Sequence, residues 1–347
     1  MKKRFVIFDE TLREGMHPLS HQITPKQMAF LAADLDKTGV EVIQFGHGNG
    51  LGGSSCQYGF SPGDDSDYIK AVTSAVSNSE LSVITLPGVG TRFQLKTAAD
   101  HGVKYARFVT QVTEADISEQ HIKMAKSLGM IPIGGLTSAN HTIVTPQELL
   151  RQARLIESYG AAAVYLLDGG GYLLPRQVHE RVDTLVKGLS IPVGFHAHNN
   201  LSLAVADTMA AIDAGAYYID SSSKGFGAGA GNCATEALLA VAERMGWNTG
   251  ADLYRMMDFG QVHVKPIMKK PMELENDQIM LGLSGVYSSF LLFARRAGEK
   301  FNVDPRDIIR EVGRRTCTEG QENICIEAAY SLGIAKTTNN KGETAPL

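Results

Sequence analysis

Two imidazoles one residue apart, His196 and His198, are the pair in this sequence best spaced for chemistry. On a β-strand, residues i and i+2 face the same side, so both rings could reach one metal ion. A carboxylate from elsewhere would complete a two-His-one-carboxylate set with positions left open for substrate and water. Alternatively, one ring packs under a loop and the other is solvated. Near the N-terminus, Asp9-Glu10-Thr11-Leu12-Arg13-Glu14-Gly15-Met16-His17 gathers further groups. Arg13 offers fixed donors that can hold an oxyanion or a 2-oxo acid carboxylate. Glu14 is a natural oxygen ligand, although the two could equally form a surface ion pair. His17 titrates near neutrality and is either a proton shuttle or a structural histidine. Lys224 opens a metal-free Schiff-base route, which would leave His196 and His198 unexplained. The run Gly225-Phe226-Gly227-Ala228-Gly229-Ala230-Gly231-Asn232 could bind an anion through its N–H groups, or simply turn a strand into a helix.

These groups need a frame. Short runs rich in Val, Ile, Phe and Tyr recur at 4–9, 40–46, 82–87, 104–110, 130–136, 161–167, 191–197 and 216–221, with helix-length segments between them. Several are apolar with almost no alternation, the pattern of strands covered on both faces. Thr24-Pro25-Lys26-Gln27 and Thr145-Pro146-Gln147-Glu148 are helix starts. Each has a Thr N-cap, Pro at the first helical position and Gln or Glu three residues after the cap. Met28, Leu31 and Leu35 then follow at helical spacing, and Gly39 and Gly160 close the two helices. Eight strands alternating with helices predict a (β/α)₈ barrel over 1–249, with active-site residues at the strands' C-terminal ends. A doubly wound open sheet is the competing fold, but no GxGxxG follows the first strand. From 250 to 347 helices are predicted at 251–258, 284–301, 305–315 and 321–333, with a polar tail from Thr337 that frays.

Bulk properties narrow the function. With 347 residues, net charge −4 and 44% hydrophobic content, the chain reads as a globular protein with no electrostatic call for nucleic acid or an acidic membrane. No run of eighteen apolar residues suggests a membrane span, and Met1-Lys2-Lys3-Arg4 is followed too soon by Asp9 for a signal peptide. The four cysteines, Cys56, Cys233, Cys317 and Cys325, lack CxxC spacing, so a reducing cytoplasm is the simplest setting.

Asp9-x-Thr11-Leu12-Arg13-Glu14-Gly15 together with His196-x-His198 resembles the metal-dependent lyase and synthase barrels. These include isopropylmalate synthase, homocitrate synthase and hydroxymethylglutaryl-CoA lyase. The sequence is most similar to the 4-hydroxy-2-oxovalerate aldolases of that superfamily. The likeness runs through Arg13-Glu14-Gly15-Met16-His17, His47-Gly48-Asn49-Gly50-Leu51, the glycine-rich run and Gly285-Val286-Tyr287-Ser288-Ser289-Phe290, nearly the whole chain. The resemblance implies a class II pyruvate aldolase with Glu14, His196 and His198 on a divalent metal. Mn²⁺ is the usual ion, and Mg²⁺, Co²⁺ and Zn²⁺ remain open. It further implies that Arg13 stabilises the pyruvate enolate and that His17 exchanges the proton of the 4-hydroxyl. Tyr287 would help hold the substrate, and Leu86 and Gly169 would line its pocket. Its setting would be aromatic-hydrocarbon catabolism, in a homo- or hetero-oligomer with an acylating aldehyde dehydrogenase. Departures cluster at the barrel mouth. Glu14 stands where these aldolases carry Asp, Gln44 and Asn49 where they carry Glu and Asp, and Gly169 where they carry Ser. Lys224 replaces a small or apolar residue, and Glu319-Gly320 replaces the Gly-Gly pair of the dehydrogenase channel. A Claisen-type acyl-CoA synthase and a non-catalytic barrel are the competing functions.

Overall fold

The computed structural model describes residues 5–138, 144–315, 318 and 320–342, with side chains up to 334. Its eight parallel strands are β1 (Val6–Glu10), β2 (Val42–Phe45), β3 (Glu80–Thr85), β4 (Tyr105–Gln111), β5 (Ile131–Ser138), β6 (Ala163–Asp168), β7 (Val193–Ala197) and β8 (Tyr218–Ser221). They pair in chain order, and β8 returns to β1 with Val6 opposite Tyr218, closing the barrel. The predicted helix starts take the expected form. Thr24 accepts from the Gln27 N–H in a capping box, and Thr145 accepts from that of Glu148.

The two faces of each strand serve two cores. Ile7, Ile43, Val83, Phe108, Leu166, Phe195 and Ile219 pack outward against the helices. Their neighbours Phe8, Val42, Ile84, Val109, Tyr165 and Leu167 form a separate cluster that fills the barrel. Because side chains alternate along a strand, the inward set must also include Glu10, Gln44, Arg107, His196 and Asp220. All five are buried. Continuous apolar patterning marks these strands as covered on both sides, and the interior polar residues are among its interruptions.

Strand limits differ from the sequence expectation by one or two residues in most cases. The shift matters at β1, expected over 4–9 but running from Val6 to Glu10, which places Glu10 inside the barrel. Of the expected helix 284–301 only Ser284 and Phe290–Phe301 are helical, and Ser284 closes a helix not expected from the sequence, Asn276–Ser284. Asn276–Ser284 ends at Gly285 in the left-handed conformation, and a new helix spans Phe290–Phe301. The break between them carries Tyr287. The helix expected over 321–333 runs from Ile324 to Gly342, into the stretch expected to fray. Leu281, Val286, Phe290, Ala294, Ile308, Ile309, Val312 and Cys325 give this C-terminal helical part its own core. No described helix is long and apolar enough to cross a membrane.

Candidate metal centre and active site

One turn of helix, Thr11–Glu14, follows β1 and projects two charged side chains over the barrel mouth. Polar bonds fix this turn. The Thr11 N–H donates to Asp9 Oδ1 at 2.9 Å, Thr235 Oγ1 donates to Asp9 Oδ2 at 3.1 Å, and the Ser223 N–H donates to Thr11 Oγ1 at 2.8 Å. The start of the chain is thereby tied to the loop after β8. Burial lifts the Asp9 carboxyl to about 7, against the pull of Thr11 and Thr235.

Arg13 is held on three sides. Its Nε donates to Gln44 Oε1 at 2.9 Å, its Nη2 to Glu10 Oε2 at 2.6 Å, and its Nη1 contacts Glu14 Oε1. The second oxygen of Glu14 accepts from the Ala228 N–H at 3.4 Å. That bond shows one use of the glycine-rich run, whose backbone donors serve the site's own carboxylate. On β7, His196 Nδ1 lies 3.0 Å from Glu10 Oε2 and 3.1 Å from Asp220 Oδ2, leaving Nε2 to face elsewhere.

Among the described residues, two sets of ligating atoms each gather within 4.8 Å: Glu14, His196 and His198, and Glu10, His196 and Asp220. Arg107 decides between them. Its Nη1 sits 2.9 Å from Glu10 Oε1, and its Nη2 sits 2.8 Å from Asp220 Oδ1. Glu10 and Asp220 are thus committed to the fully buried Arg107 and do not line the cavity, whereas Glu14, although it contacts Arg13, does. The first set suits a divalent cation: two imidazoles and one carboxylate at the foot of a cavity, with His198 Nδ1 buried and unpartnered.

The electrostatics of Glu14 and His198 agree, while His196 is the ring its carboxylate partners hold protonated until a cation replaces the Nε2 proton. Burial penalises the Glu14 charge, but Arg13, His17, His198 and His196 outweigh it and hold the carboxyl well below its usual range. Burial brings His198 down to about 4, which leaves it a neutral ring. Burial also disfavours a charged His196, yet Glu10 and Asp220 overcome this and raise it to about 10.

His17 lines the cavity beside Glu14, and burial lowers its pKa. Its ring meets the edge of His21 at 5.2 Å, and His21 stacks on His47 at 3.8 Å between centroids. His47 Nδ1 accepts the Asn49 N–H at 3.0 Å, which leaves Nε2 to donate to the Gly59 carbonyl at 3.0 Å. His47 is thus a fixed neutral ring behind His21, which lines the cavity.

The cavity, about 520 Å³, has Arg13, Glu14, His17, His196 and His198 on its polar side. Ile84, Leu86, Val109 and Leu167 form an apolar wall, and Tyr287 and Ser288 reach in from the C-terminal helices. Tyr287 Oη donates to Gln111 Oε1 at 3.0 Å. Its ring lies over Gly169, where an added Cβ would come within 2.4 Å of Tyr287 Cε1. Arg13, Glu14, His17, Leu86, Gly169, His196, His198 and Tyr287 therefore share one cavity. Lys224 does not line it; its side chain runs beside Gly260, and its backbone N–H donates to Glu236 at 2.8 Å. A Schiff base has no support in that arrangement. Glu319 lies outside the described residues.

Sequence reasoning passed over Glu10, Arg107, His21 and Gln111. Arg107 was findable as a lone charge inside the apolar run of β4. His21 and Gln111 carried no signal of their own.

Residues 4–262 match the HMGL-like family model, and residues 272–333 match the DmpG-like communication domain. The 4-hydroxy-2-oxovalerate aldolase of Desulfitobacterium hafniense is 58% identical over 334 residues, 96% of this chain and 100% of that one. That of Carboxydothermus hydrogenoformans is 50% identical, covering 96% of this chain and 99% of its own. Among solved structures, the Bacillus subtilis HMG-CoA lyase aligns at TM-score 0.64 and 18% identity, over 79% of this chain and 97% of that one. The carboxyl transferase domain of Rhizobium etli pyruvate carboxylase with pyruvate aligns at TM-score 0.79 and 13% identity, over 96% of this chain and 61% of that one. At those identities the two structures show a shared fold only.

Proposed function

The chain belongs to the HMGL-like family, and from that premise we propose that it is a class II, metal-dependent aldolase. It cleaves a 4-hydroxy-2-oxo acid of the 4-hydroxy-2-oxopentanoate type to pyruvate and an aldehyde, or adds them in reverse. The observation that carries the reading is the grouping of Glu14, His196 and His198 beside Arg13 and His17, at the foot of a half-apolar cavity.

Each group then has a task. Glu14, His196 and His198 would hold the divalent cation, with Mn²⁺ as the expected ion. Bound there, the cation supplies Lewis-acid stabilisation of charge at the 2-oxo and carboxylate oxygens. Arg13, already fixed by Glu10 and Gln44, stabilises the negative charge that grows on the 2-oxo oxygen as the C3–C4 bond breaks. His17, kept neutral by burial, accepts the proton of the 4-hydroxyl as that carbon becomes an aldehyde. Tyr287 and Gly169 orient the 2-oxo acid, and Leu86 with its apolar neighbours takes the aldehyde carbon chain. Exposed Leu283, Leu292, Phe293, Ile326 and Tyr330 on the C-terminal helices are consistent with a protein partner there, for which we propose an acylating aldehyde dehydrogenase.

Exchange of the pyruvate methyl protons with D₂O, followed by NMR with Mn²⁺ and then with excess EDTA, tests the reading. Metal-dependent exchange that His196→Ala abolishes is the expected result. No exchange in metal-loaded protein, with thiol release from acetyl-CoA and a 2-oxo acid instead, would replace it with a Claisen-type synthase.

A further inference from the structure

Beneath the site lies a buried charge cluster. Arg107, on β4, is completely buried. Its guanidinium reaches Glu10 at 2.9 Å on one side and Asp220 at 2.8 Å on the other, and its carbon centre lies 3.8 Å from the centroid of the Tyr165 ring. A buried cation between two carboxylates, stacked on an aromatic face, has almost no freedom to turn. Tyr165 can lie there because β7 carries Gly194 beside it. A Cβ at that position would come within 2.5 Å of the tyrosine ring.

The two carboxylates pass this rigidity upward. Glu10 uses Oε1 for Arg107 and Oε2 for both Arg13, at 2.6 Å, and His196 Nδ1, at 3.0 Å. Asp220 likewise meets Arg107 and His196 Nδ1, the latter at 3.1 Å. One guanidinium therefore fixes both carboxylates that aim the ring of His196, and one of them also aims Arg13.

We infer that Arg107 is a positioning residue for the proposed reaction: through Glu10 and Asp220 it orients the His196 imidazole and the Arg13 guanidinium together. The inference rests on the metal-dependent reading above. Nη1 alone bridges Glu10 on β1 and Asp220 Oδ2 on β8, and Nη2 adds a second bond to Asp220 Oδ1, so the planar fork fixes the plane of the Asp220 carboxylate as well as joining the two strands. Lysine keeps the charge but supplies it from one point.

The test is the affinity of the full-length protein for Mn²⁺ alone, titrated by EPR, in wild type, Arg107→Lys and Arg107→Met. Circular dichroism and thermal melting establish which variants are folded. Outer groups that orient ligating histidines typically change metal affinity by about 10- to 100-fold. The expected result is a weakening of at least about tenfold in folded Arg107→Lys, with kcat for pyruvate release falling more than KM rises. Should both Arg107 variants misfold, Gly194→Ala, which crowds Tyr165 onto Arg107 and leaves every charged group in place, carries the same expectation at smaller size. A folded variant with wild-type Mn²⁺ affinity and a wild-type kcat overturns the inference. Wild-type protein that fails to bind Mn²⁺ overturns the metal-dependent reading itself, so the two failures are distinguishable.

Discussion

Gly169→Ala is the sharpest probe of how the C-terminal helices complete the barrel's site. The new methyl carbon would stand 2.4 Å from Tyr287 Cε1 and 3.0 Å from Thr137 Oγ1, where ordinary contact begins at 3.4 Å. Thr137 sits on β5, inside the barrel wall, so the tyrosine ring must withdraw by about 1 Å. Such overpacking costs about 1–3 kcal/mol. The same withdrawal strains the 3.0 Å bond from Tyr287 Oη to Gln111, forfeiting up to about 1 kcal/mol more. Gly169 has no unusual backbone angle, so the effect is purely one of space. If Tyr287 orients the substrate, a loss of about 1.4–2.7 kcal/mol in transition-state stabilisation lowers kcat/KM by about 10- to 100-fold. Pyruvate release from 4-hydroxy-2-oxopentanoate, coupled to lactate dehydrogenase and NADH oxidation, measures it. Gln111→Ala removes only the hydrogen bond and should cost about fivefold. A Gly169→Ala enzyme with unchanged kcat/KM and melting temperature would refute the reasoning, because the ring would then be free to move at no cost.

Three further outcomes are expected. Glu14→Gln and His198→Ala should each abolish tight Mn²⁺ binding in EPR titrations while leaving the fold intact; retention of wild-type affinity in either removes that residue from the metal site. Leu86→Ala should open the apolar wall and shift preference toward aldehydes one or two carbons longer by about tenfold in kcat/KM, since each methylene is worth about 0.8 kcal/mol. An unchanged aldehyde series would place the carbon chain elsewhere. Asp207, buried on the helix Ala204–Asp213, is raised to about 8 by burial and by the charge of Asp168. Its native carboxyl holds a proton that the unfolded chain has already lost above about pH 4. Its contribution is therefore complete below pH 4 and declines as pH rises through about 8, by at most about 1.4 kcal/mol per pH unit. Melting temperatures from pH 5 to 9 should fall less steeply in Asp207→Asn; parallel curves would show that the carboxyl ionises without consequence.

The sequence alone settled the repeating plan of this molecule. Parallel strands buried on both faces need long apolar runs, and capped helices need Thr, Pro and Gln or Glu in order, so strand count and helix starts are legible in the chain itself. Grouping polar residues at strand ends also drew Arg13, Glu14, His17, His196 and His198 toward one mouth, because a barrel brings all those ends together. Which carboxylates face which ring depended on tertiary structure. Glu10 reads as a loop residue until β1 is found to extend one residue further, and a single step along a strand moves a side chain from one face to the other. Arg107 lies 97 residues from Glu10 and 113 from Asp220, and nothing local marks the three as partners. The choice between two overlapping ligand groups was likewise made by a guanidinium from a distant strand. Tyr287 enters the cavity because Gly285 ends one helix and lets the chain turn before Phe290 begins the next. Local pattern follows from backbone geometry and solvent, which act within a few residues. Partnership in the site follows from barrel closure, which couples residues regardless of their separation along the chain.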